Sequence, residues 1–598
     1  MPYMKNLRLA APYYKPYLAQ LTVGLGIVVA SSGIASVIPW LLRRGIDAIG
    51  NNAPLGAAWR VAGLIVVAAI VGGALRYWMR ELMNGVSRRI EYDLRNALFT
   101  HLETLDAAYF ARTRTGDIMA RLTNDLGAVR MAVGPAVMYL ANTITGAVFA
   151  LYFMVRIDLT LTLLVLLPMM VLPVLTIRMG KAIHDRFEAV QEHFSVLTTR
   201  AQENLTGARI VRAYRQELAE IARFGAVNEE YLARNMSLVR LWGTLNPLFA
   251  LFGGLGAVVV LGVGGALTMN GVISVGSFVA FGLYLTMLTW PLIALGWVVN
   301  LFQRGDASMG RLAEILYERA SINAETPLTR LPRAESGRTV EFRNVGFHYP
   351  VEQDAEPRWV LRNVSFVVPA GATLGVVGAT GSGKSALIDL IPRVYDPQEG
   401  EILVDGIPTR NLSPAELRRE IGFVPQESLL FSDTIESNLG YGTDEPASAA
   451  WAAGVAQLAA TIEEFPGGYQ TVLGERGINL SGGQKQRAAL ARALARKPGI
   501  VLLDDALSAV DTHTEAEILR TLREGLAGRT ALIASHRISA IRDASWIIVL
   551  EKGIVVEQGK HADLMALRGR YWSLLRRQQL LDAVESDALA TDVTPATI

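Results

Sequence analysis

The chain has 598 residues, with 57 Lys and Arg against 55 Asp and Glu, so a formal charge of +2 excludes a nucleic-acid binder driven by bulk charge. Apolar residues make up 51% and charged residues 19%, below the ~25% usual for soluble chains, which excludes disorder and points to a membrane. There is no cysteine, so disulfides, thiolate metal sites, iron–sulfur clusters and a Cys nucleophile are excluded.

At the start, Lys5, Arg8 and Lys15 flank a short amphipathic piece with no cleavage site after it. Residues 1–16 are expected to form an interfacial elbow helix. The region 17–303 then alternates uncharged and basic stretches. A bilayer span needs ~20 mostly apolar residues. Six are expected, at about 17–42, 58–80, 131–155, 158–180, 241–268 and 277–303. The uncharged run 241–303 is too long for one span, and Met269-Asn270-Gly271 to Gly276 reads as its turn. The second span reaches its length only by running past Arg76 and Arg80, which belong at an interface or against a cavity.

Between spans lie two long loops, 84–130 with seven Arg and 178–240 with ten Lys or Arg. The opposite side is poorer in positive charge, so these loops and both termini are expected in the cytoplasm. Neither loop contains Pro, and Leu94, Leu98, Leu102 and Leu105 keep helical spacing. Both read as membrane helices that continue beyond the bilayer. The Gly-rich stretch Gly253 to Gly265 reads as close helix packing. Phe281, Tyr284, Trp290 and Trp297 suit a cavity lining, an aromatic belt or helix packing equally well. Seven scattered histidines show no metal-ligand spacing. Pro327 and Pro332 mark 304–337 as a linker.

Residues 338–575 read as a soluble α/β domain, followed by a tail, 576–598, in which Arg576 and Arg577 read as a solvated helix end and the polar part after about 578 is expected to be disordered. Thr373–Val377 reads as a strand running into Gly378-Ala379-Thr380-Gly381-Ser382-Gly383-Lys384-Ser385. This is a complete phosphate loop of the form G-x-x-x-x-G-K-[ST]. Its glycines let backbone N–H groups turn toward phosphate oxygens. Lys384 adds a positive charge for the β and γ phosphates, and Ser385 a hydroxyl for Mg²⁺. Ile500-Val-Leu-Leu-Asp504-Asp505 reads as a buried strand ending in acids, where a phosphate-loop fold holds Mg²⁺.

Leu480-Ser481-Gly482-Gly483-Gln484 lies between these two elements, followed by Lys485-Gln486-Arg487. With it the chain resembles an ATP-binding-cassette (ABC) transporter of the exporter half-transporter type. In that family the LSGGQ signature opens a helix whose N-terminus binds the γ-phosphate held by the opposing cassette. The resemblance implies further roles. Tyr349, in Phe347-His-Tyr-Pro, would stack on adenine. Gln426, in Val424-Pro-Gln, would sense Mg²⁺ and water. Gly474-Glu-Arg-Gly477 would contact coupling helices. Asp511, in Ser508-Ala-Val-Asp, would lie on the loop that crosses the cassette dimer. His536 would be the switch for the γ-phosphate. Gly116-Asp117 with Asn124-Asp125, and Ala208 to Arg215, resemble the two intracellular loops, one short helix in each touching a cassette. Six spans fused ahead of one cassette imply export rather than import.

Two departures stand out. Most active members carry Glu after the Mg²⁺-associated Asp504, to polarise the attacking water; here the residue is Asp505, one methylene shorter. A misplacement of about 1 Å can cost ~10²-fold in rate. The same run resembles one subunit of bacterial heterodimeric exporters of the multidrug-resistance-like (Mdl) kind, in which one ATP site is slow. His536 is nevertheless kept. Ala386 replaces a common Thr, an effect of ~1 kcal/mol for one hydrogen bond.

The expectation is an α-helical six-span domain followed by an α/β phosphate-loop ATPase, in the bacterial inner membrane. It would export a hydrophobic or amphipathic substrate using ATP and Mg²⁺, paired with a Glu-bearing second half-transporter. The alternatives are a homodimer and an ATP-gated regulator or channel without net pumping.

Overall fold

The computed structural model describes residues 5–322, 329–332, 336–350, 357–443, 445–474, 477 and 479–591. The chain forms two compact units, Met1–Thr104 with Arg114–Glu318, and Leu105–Thr113 with Arg319–Ile598.

The first unit is helical. Short helical turns over Leu7–Ala10, Ala11–Tyr14 and Lys15–Tyr17 lead into α1 (Leu18–Gly50). Their first backbone N–H groups are satisfied by Asp306, which accepts from Asn6 N and Leu7 N at 2.9 Å each. α2 (Leu55–Leu102) runs 48 residues, or ~70 Å at 1.5 Å per residue. Leu21, Gly24, Val28, Ser32 and Ser36 recur every three to four residues along α1 and are buried; Met79, Met83, Val86 and Ile90 do the same along α2, with Gly72 two turns earlier. Gly24 packs against the Met83 thioether, to which a Cβ there would approach within 2.7 Å of Sδ. Leu94, Leu98, Leu102 and Leu105 are all buried, as their spacing predicts.

α3 (Ala107–Arg112) belongs to the second unit. α4 (Thr115–Ile157) contains π-helical turns at Arg121–Asp125 and Ala132–Ala136. Asp125, at the end of the first, is buried and accepts from Ser308 Oγ at 2.9 Å and Arg311 Nε at 2.8 Å. α5 (Leu159–Met169) and α6 (Val171–Thr206) meet at Met170, where Pro173 cannot donate the next helical hydrogen bond. α7 (Ala208–Ala213) turns the chain into α8 (Glu217–Met269). A turn over residues 270–274 precedes α9 (Val275–Leu316).

Among the described residues, four helical runs are long and apolar enough to cross a membrane: Leu7–Gly50, Leu55–Leu102, Thr115–Ile157 and Glu217–Met269. Two shorter apolar stretches, Leu159–Met169 and Val275–Leu288, fall in the fourth and sixth expected spans. Phe281 and Tyr284 pack inside this unit. Tyr284 stacks on Phe153 with ring centroids 5.3 Å apart and donates to Ser36 O at 2.8 Å. Trp297 is half exposed against Tyr139, and the Trp290 side chain lies outside the described residues.

Among the described residues the second unit holds two sheets. The antiparallel sheet has the order β2-β1-β4-β5, built from β1 (Val340–Phe347), β2 (Leu361–Val368), β4 (Glu399–Val404) and β5 (Ile407–Pro408). The second has the order β10-β9-β3-β8-β7-β6, from β3 (Thr373–Gly378), β6 (Ile421–Val424), β7 (Ile500–Asp504), β8 (Thr530–Ala534), β9 (Trp546–Glu551) and β10 (Ile554–Gly559). All its pairings are parallel except β9 with β10. β7 and β8 are buried at every position, the pattern of strands covered on both faces. Helices α10 (Lys384–Leu390), α11 (Gly482–Ala495) and α12 (Thr512–Gly525) follow β3, precede β7 and follow β7. The final helix, α13 (Arg570–Thr591), runs straight through residue 576. The disordered tail expected after about 578 is therefore corrected up to Thr591. The apolar ring of Tyr571 is fully buried and Gln578 accepts from Ile538 N at 3.0 Å, which anchors the start of that helix.

Candidate functional site

The parallel sheet brings the candidate residues to one edge. The phosphate loop leaves the C-terminal end of β3, Asp504 ends β7, His536 follows β8 and Gln426 follows β6. Ligands of open α/β sheets bind at this edge.

The loop itself is shaped by its glycines. Gly383 has φ +104°, and a Cβ there would lie 2.9 Å from Val360 O. A Cβ on Gly378 would lie 2.3 Å from Leu550 O. Ala379, Thr380 and Gly381 are exposed at the tip. Lys384 folds back, donating to Gly378 O at 2.8 Å and Ala379 O at 3.2 Å. Burial pushes its ammonium pKa down, against the charges of Asp505 and Asp504. Ser382 is buried and its Oγ finds no partner among the described residues, so the curled loop keeps an unused polar atom. Ala386 is buried in α10 rather than facing the loop's open side.

Asp504 is buried, with the Ser385 hydroxyl hydrogen-bonded to it. Burial raises its carboxyl pKa and Asp505 raises it further. Asp389, five residues beyond Lys384, is pushed up to about 6 by burial and then by Asp504. Asp505 and Asp504 thus act on Lys384, and Asp389 on Asp504. Gln426 is exposed.

Asp505 has left-handed backbone, φ +50°, and its N–H donates to Ala534 O at 2.8 Å. His536 Nδ1 lies 2.7 and 2.9 Å from its two carboxylate oxygens. Tyr349 forms an edge contact with Phe347 at 5.0 Å and with Tyr395 at 5.4 Å, leaving part of its ring exposed. Burial pushes its hydroxyl up to about 12.

The signature segment caps its own helix. Gln484 N donates to Ser481 Oγ at 3.2 Å and Ser481 N to Gln484 Oε1 at 2.8 Å, a reciprocal capping box. Both side chains are thereby fixed, with Gly482 and Gly483 at the first helical turn. Asp511 is the cap of α12, accepting from Thr514 N at 2.9 Å, and this bond lowers its carboxyl pKa. In Gly474-Glu-Arg-Gly477, Glu475 and Arg476 lie outside the described residues.

Sequence reasoning missed the residues that tie these pieces together. Gln486 Nε2 donates to Ser508 Oγ at 2.8 Å, and Ala509 N donates to Gln486 Oε1 at 2.9 Å. Arg537 donates to Ser508 O at 3.2 Å and Val510 O at 3.3 Å, and pairs with buried Glu515. Gln486 stands inside the run quoted after the signature and Arg537 directly follows His536, so the positions were in view but carried no assigned role. Tyr395 and Asp389 had no signal at all.

Comparison with known proteins agrees with this geometry. Residues 21–292 match the ABC transporter transmembrane region and residues 361–508 match the ABC transporter domain. The chain is 35% identical over 591 residues to the probable multidrug resistance ABC transporter ATP-binding/permease protein YheI of Bacillus subtilis, covering 96% of this chain and 98% of that one. It is 36% identical over 529 residues to the multidrug resistance-like ATP-binding protein MdlA of Escherichia coli, covering 88% of each. The solved structure of a bacterial Atm1-family ABC exporter with ATP bound superposes with a TM-score of 0.74 at 29% identity, covering 94% of this chain and 98% of that one. The chain belongs to the ABC transporters, as an exporter half-transporter with its membrane domain fused to an ATPase domain. It is an integral, multi-pass membrane protein that binds ATP and couples its hydrolysis to export.

Proposed function

We propose that this chain is the slow-site half of a heterodimeric exporter of hydrophobic or amphipathic compounds, with its ATPase domain and both termini in the cytoplasm of a bacterial cell. The observation that carries this is Asp505. A short carboxylate stands where a longer one would reach the attacking water, and it is drawn onto His536. A partner chain with Glu at that position would complete the fast site, to which this chain lends Ser481, Gly482, Gly483, Gln484 and Asp511.

Within the slow site, the backbone N–H groups of Gly378 to Gly383 and the Lys384 ammonium hold the β and γ phosphates, and Tyr349 supports adenine. Mg²⁺ would be held by Asp504 and the Ser385 hydroxyl bonded to it, with Gln426 following β6 on the same edge of the sheet, and the carboxylates of Asp504 and Asp505 beside Lys384 favour a divalent cation. When bound, it supplies charge neutralisation at the β and γ oxygens. Asp505 orients water and His536 contacts the γ-phosphate. ATP favours the closed pair of cassettes over the open one, and that difference in affinity drives the change in access. A second chain is also favoured by the tip around α7, where Leu205, Ile210, Tyr214, Leu218 and Ile221 are all exposed.

The intact Lys384, Gln426, Asp504 and His536 favour a second reading, a homodimer with a slow but working site. The ATPase rate of the purified chain alone in lipid, against a Lys384→Ala blank, separates the two. A rate at the blank supports the heterodimer. A rate on the order of 1 s⁻¹ or more, as for ordinary enzymes, overturns it.

A further inference from the structure

The chain passes between its two units after Thr104, after Thr113 and after Glu318. Each passage lies beside a helix end of the first unit: the last turn of α2, the first of α4 and the last of α9. These three helices are tied to one another. His101 Nε2 on α2 donates to Glu318 O, just past α9, at 2.9 Å. A Cβ on Gly134 of α4 would lie 2.3 Å from Ser87 Cβ of α2, and one on Gly305 of α9 would lie 2.2 Å from Ala132 Cβ of α4.

Between α4 and α9 the tie is also ionic. Asp125 accepts from Ser308 Oγ at 2.9 Å and from Arg311 Nε at 2.8 Å, and Arg311 Nη2 donates to it as well. One turn along, Arg121 Nη1 donates to Glu314 Oε2 at 2.7 Å and to Arg311 O at 2.9 Å, while its Nε donates to Asp117 Oδ2 at 3.0 Å. Asp125 and Ser308 are buried. Burial alone would raise the Asp125 carboxyl pKa, but the bonds from Arg311 and Ser308 hold it below its ordinary value. The π-helical turn Arg121–Asp125 falls on this clasp, and such turns are rare and gather at functional sites.

The order of the signs sets the register. Asp125, Arg121 and Asp117 run minus, plus, minus along α4; Arg311 and Glu314 run plus, minus along α9, in the opposite chain direction. As they stand, both facing pairs are opposite in sign. Sliding α9 by one turn, ~5.4 Å, toward its C-terminal end sets Arg311 against Arg121 and Glu314 against Asp117. Sliding it the other way sets Glu314 against Asp125. Like charges repel at either stop. Packing adds to this, because any residue larger than Gly305 at the Ala132 contact forces the helices apart.

We propose that Asp117, Arg121 and Asp125 of α4 form, with Arg311 and Glu314 of α9, a register pin that holds the two helices as one lever while ATP binds. Arg121 and Arg311 are positioning residues: they act through helix position and fix how the helix leading into the second unit can pull on the first. Fixing register is the best-attested use of such polar networks. The one-turn slide by which packed helices can switch is closed to this pair. The pin is the same in a homodimer and in a heterodimer.

The test exploits the natural lack of cysteine. Spin labels at Met119→Cys on α4 and Gln303→Cys on α9, both exposed positions, report the register by pulsed electron resonance in nanodiscs. Nucleotide-free protein and protein saturated with ATP and Mg²⁺ should give the same single distance. A shift of about 5 Å, one helical turn, in the ATP state overturns the proposal without any further substitution. The charge pattern is tested apart from packing. Glu314→Arg sets a cation against Arg121 at a side chain 66% exposed, where the chain should still fold. Its thermal midpoint should fall by a few degrees, and adding Arg121→Glu should restore most of the loss. A single variant with an unmoved midpoint, or a double variant no more stable than the single, overturns the pin. So does a double variant that recovers its midpoint while its label distance changes with ATP, since the pairs would then stabilise without fixing register.

Discussion

The imidazole Nδ1 of His536 sits 2.7 Å from one carboxylate oxygen of Asp505 and 2.9 Å from the other. The two residues proposed to act on water and on the γ-phosphate therefore engage each other. Asp505 is held there by its own backbone, whose left-handed turn is fixed by the hydrogen bond to Ala534 O.

Lengthening that side chain should speed the site. Asp505→Glu moves the carboxylate out by one methylene, and an error of about 1 Å in placement costs ~10²-fold. ATPase of the chain alone, expected near the Lys384→Ala blank, should rise at least tenfold above it in Asp505→Glu and stay at it in Asp505→Asn. No rise in the Glu variant would mean that side-chain length is not what limits this site.

Gln486 should act on rate without acting on ATP affinity. It bonds Ser508 Oγ and Ala509 N, so it fixes the 505–511 loop to the signature helix in the same chain. Gln486→Met keeps the length and loses both bonds, each worth about 1 kcal/mol, and leaves the Ala509 N–H unpaired. In the assembled transporter, kcat should drop about tenfold while KM for ATP stays within twofold. A KM that rises with kcat unchanged would place Gln486 in nucleotide binding instead.

What could be read beforehand follows a physical divide. Apolar runs and the phosphate loop are local patterns, so the strand at Ile500–Asp504 and the turn after Met269 were legible from neighbours in sequence. Ser481 and Gln484 were quoted for their partner across the dimer, yet their bonds to each other are a local capping box that the spacing already encodes. Asp511 was quoted the same way and caps its own helix. The clamp of Gln486 and Arg537 on residues 508–510 joins segments 22 to 29 residues apart, which no local pattern announces. Arg76 and Arg80 of α2 were visible as two awkward charges in a weak span; only packing of the opposite face shows that they line a groove.

Asp47 should hold the start of α9. It accepts from Ser274 Oγ at 2.8 Å and Gly276 N at 2.9 Å, across 227 and 229 residues. A Cβ on Gly276 would lie 2.3 Å from Arg43 O, so the two backbones are in near contact. Asp47→Ala should cost about 1–2 kcal/mol as a lost cap, and the thermal midpoint should fall by a few degrees. Gly276→Ala should fall at least as far, and Asp47→Asn, which keeps an acceptor, less. Midpoints unchanged in all three would show that the clasp carries no stability.

Asp389 should make stability depend on pH in a direction opposite to that of a salt-bridged acid. Its carboxyl pKa is pushed up to about 6 in the folded chain, against 3.8 for the unfolded one, chiefly by burial and then by Asp504. The folded state therefore holds the proton more tightly. The group costs nothing below pH ~4, costs progressively more as pH rises toward 6, and costs a constant amount above that. Asp389→Asn removes the charge at every pH. The variant should match the wild type near pH 4 and be more stable above pH 6, by about 1 kcal/mol once partial exposure is allowed for. The measurement is the thermal midpoint of nucleotide-free protein in detergent across pH 4 to 8, read as the difference between variant and wild type. That difference cancels every other titrating group that the substitution leaves undisturbed. A difference that shrinks as pH rises would show that Asp389 is ionised and stabilising in the fold, and would reverse its place in the site's electrostatics.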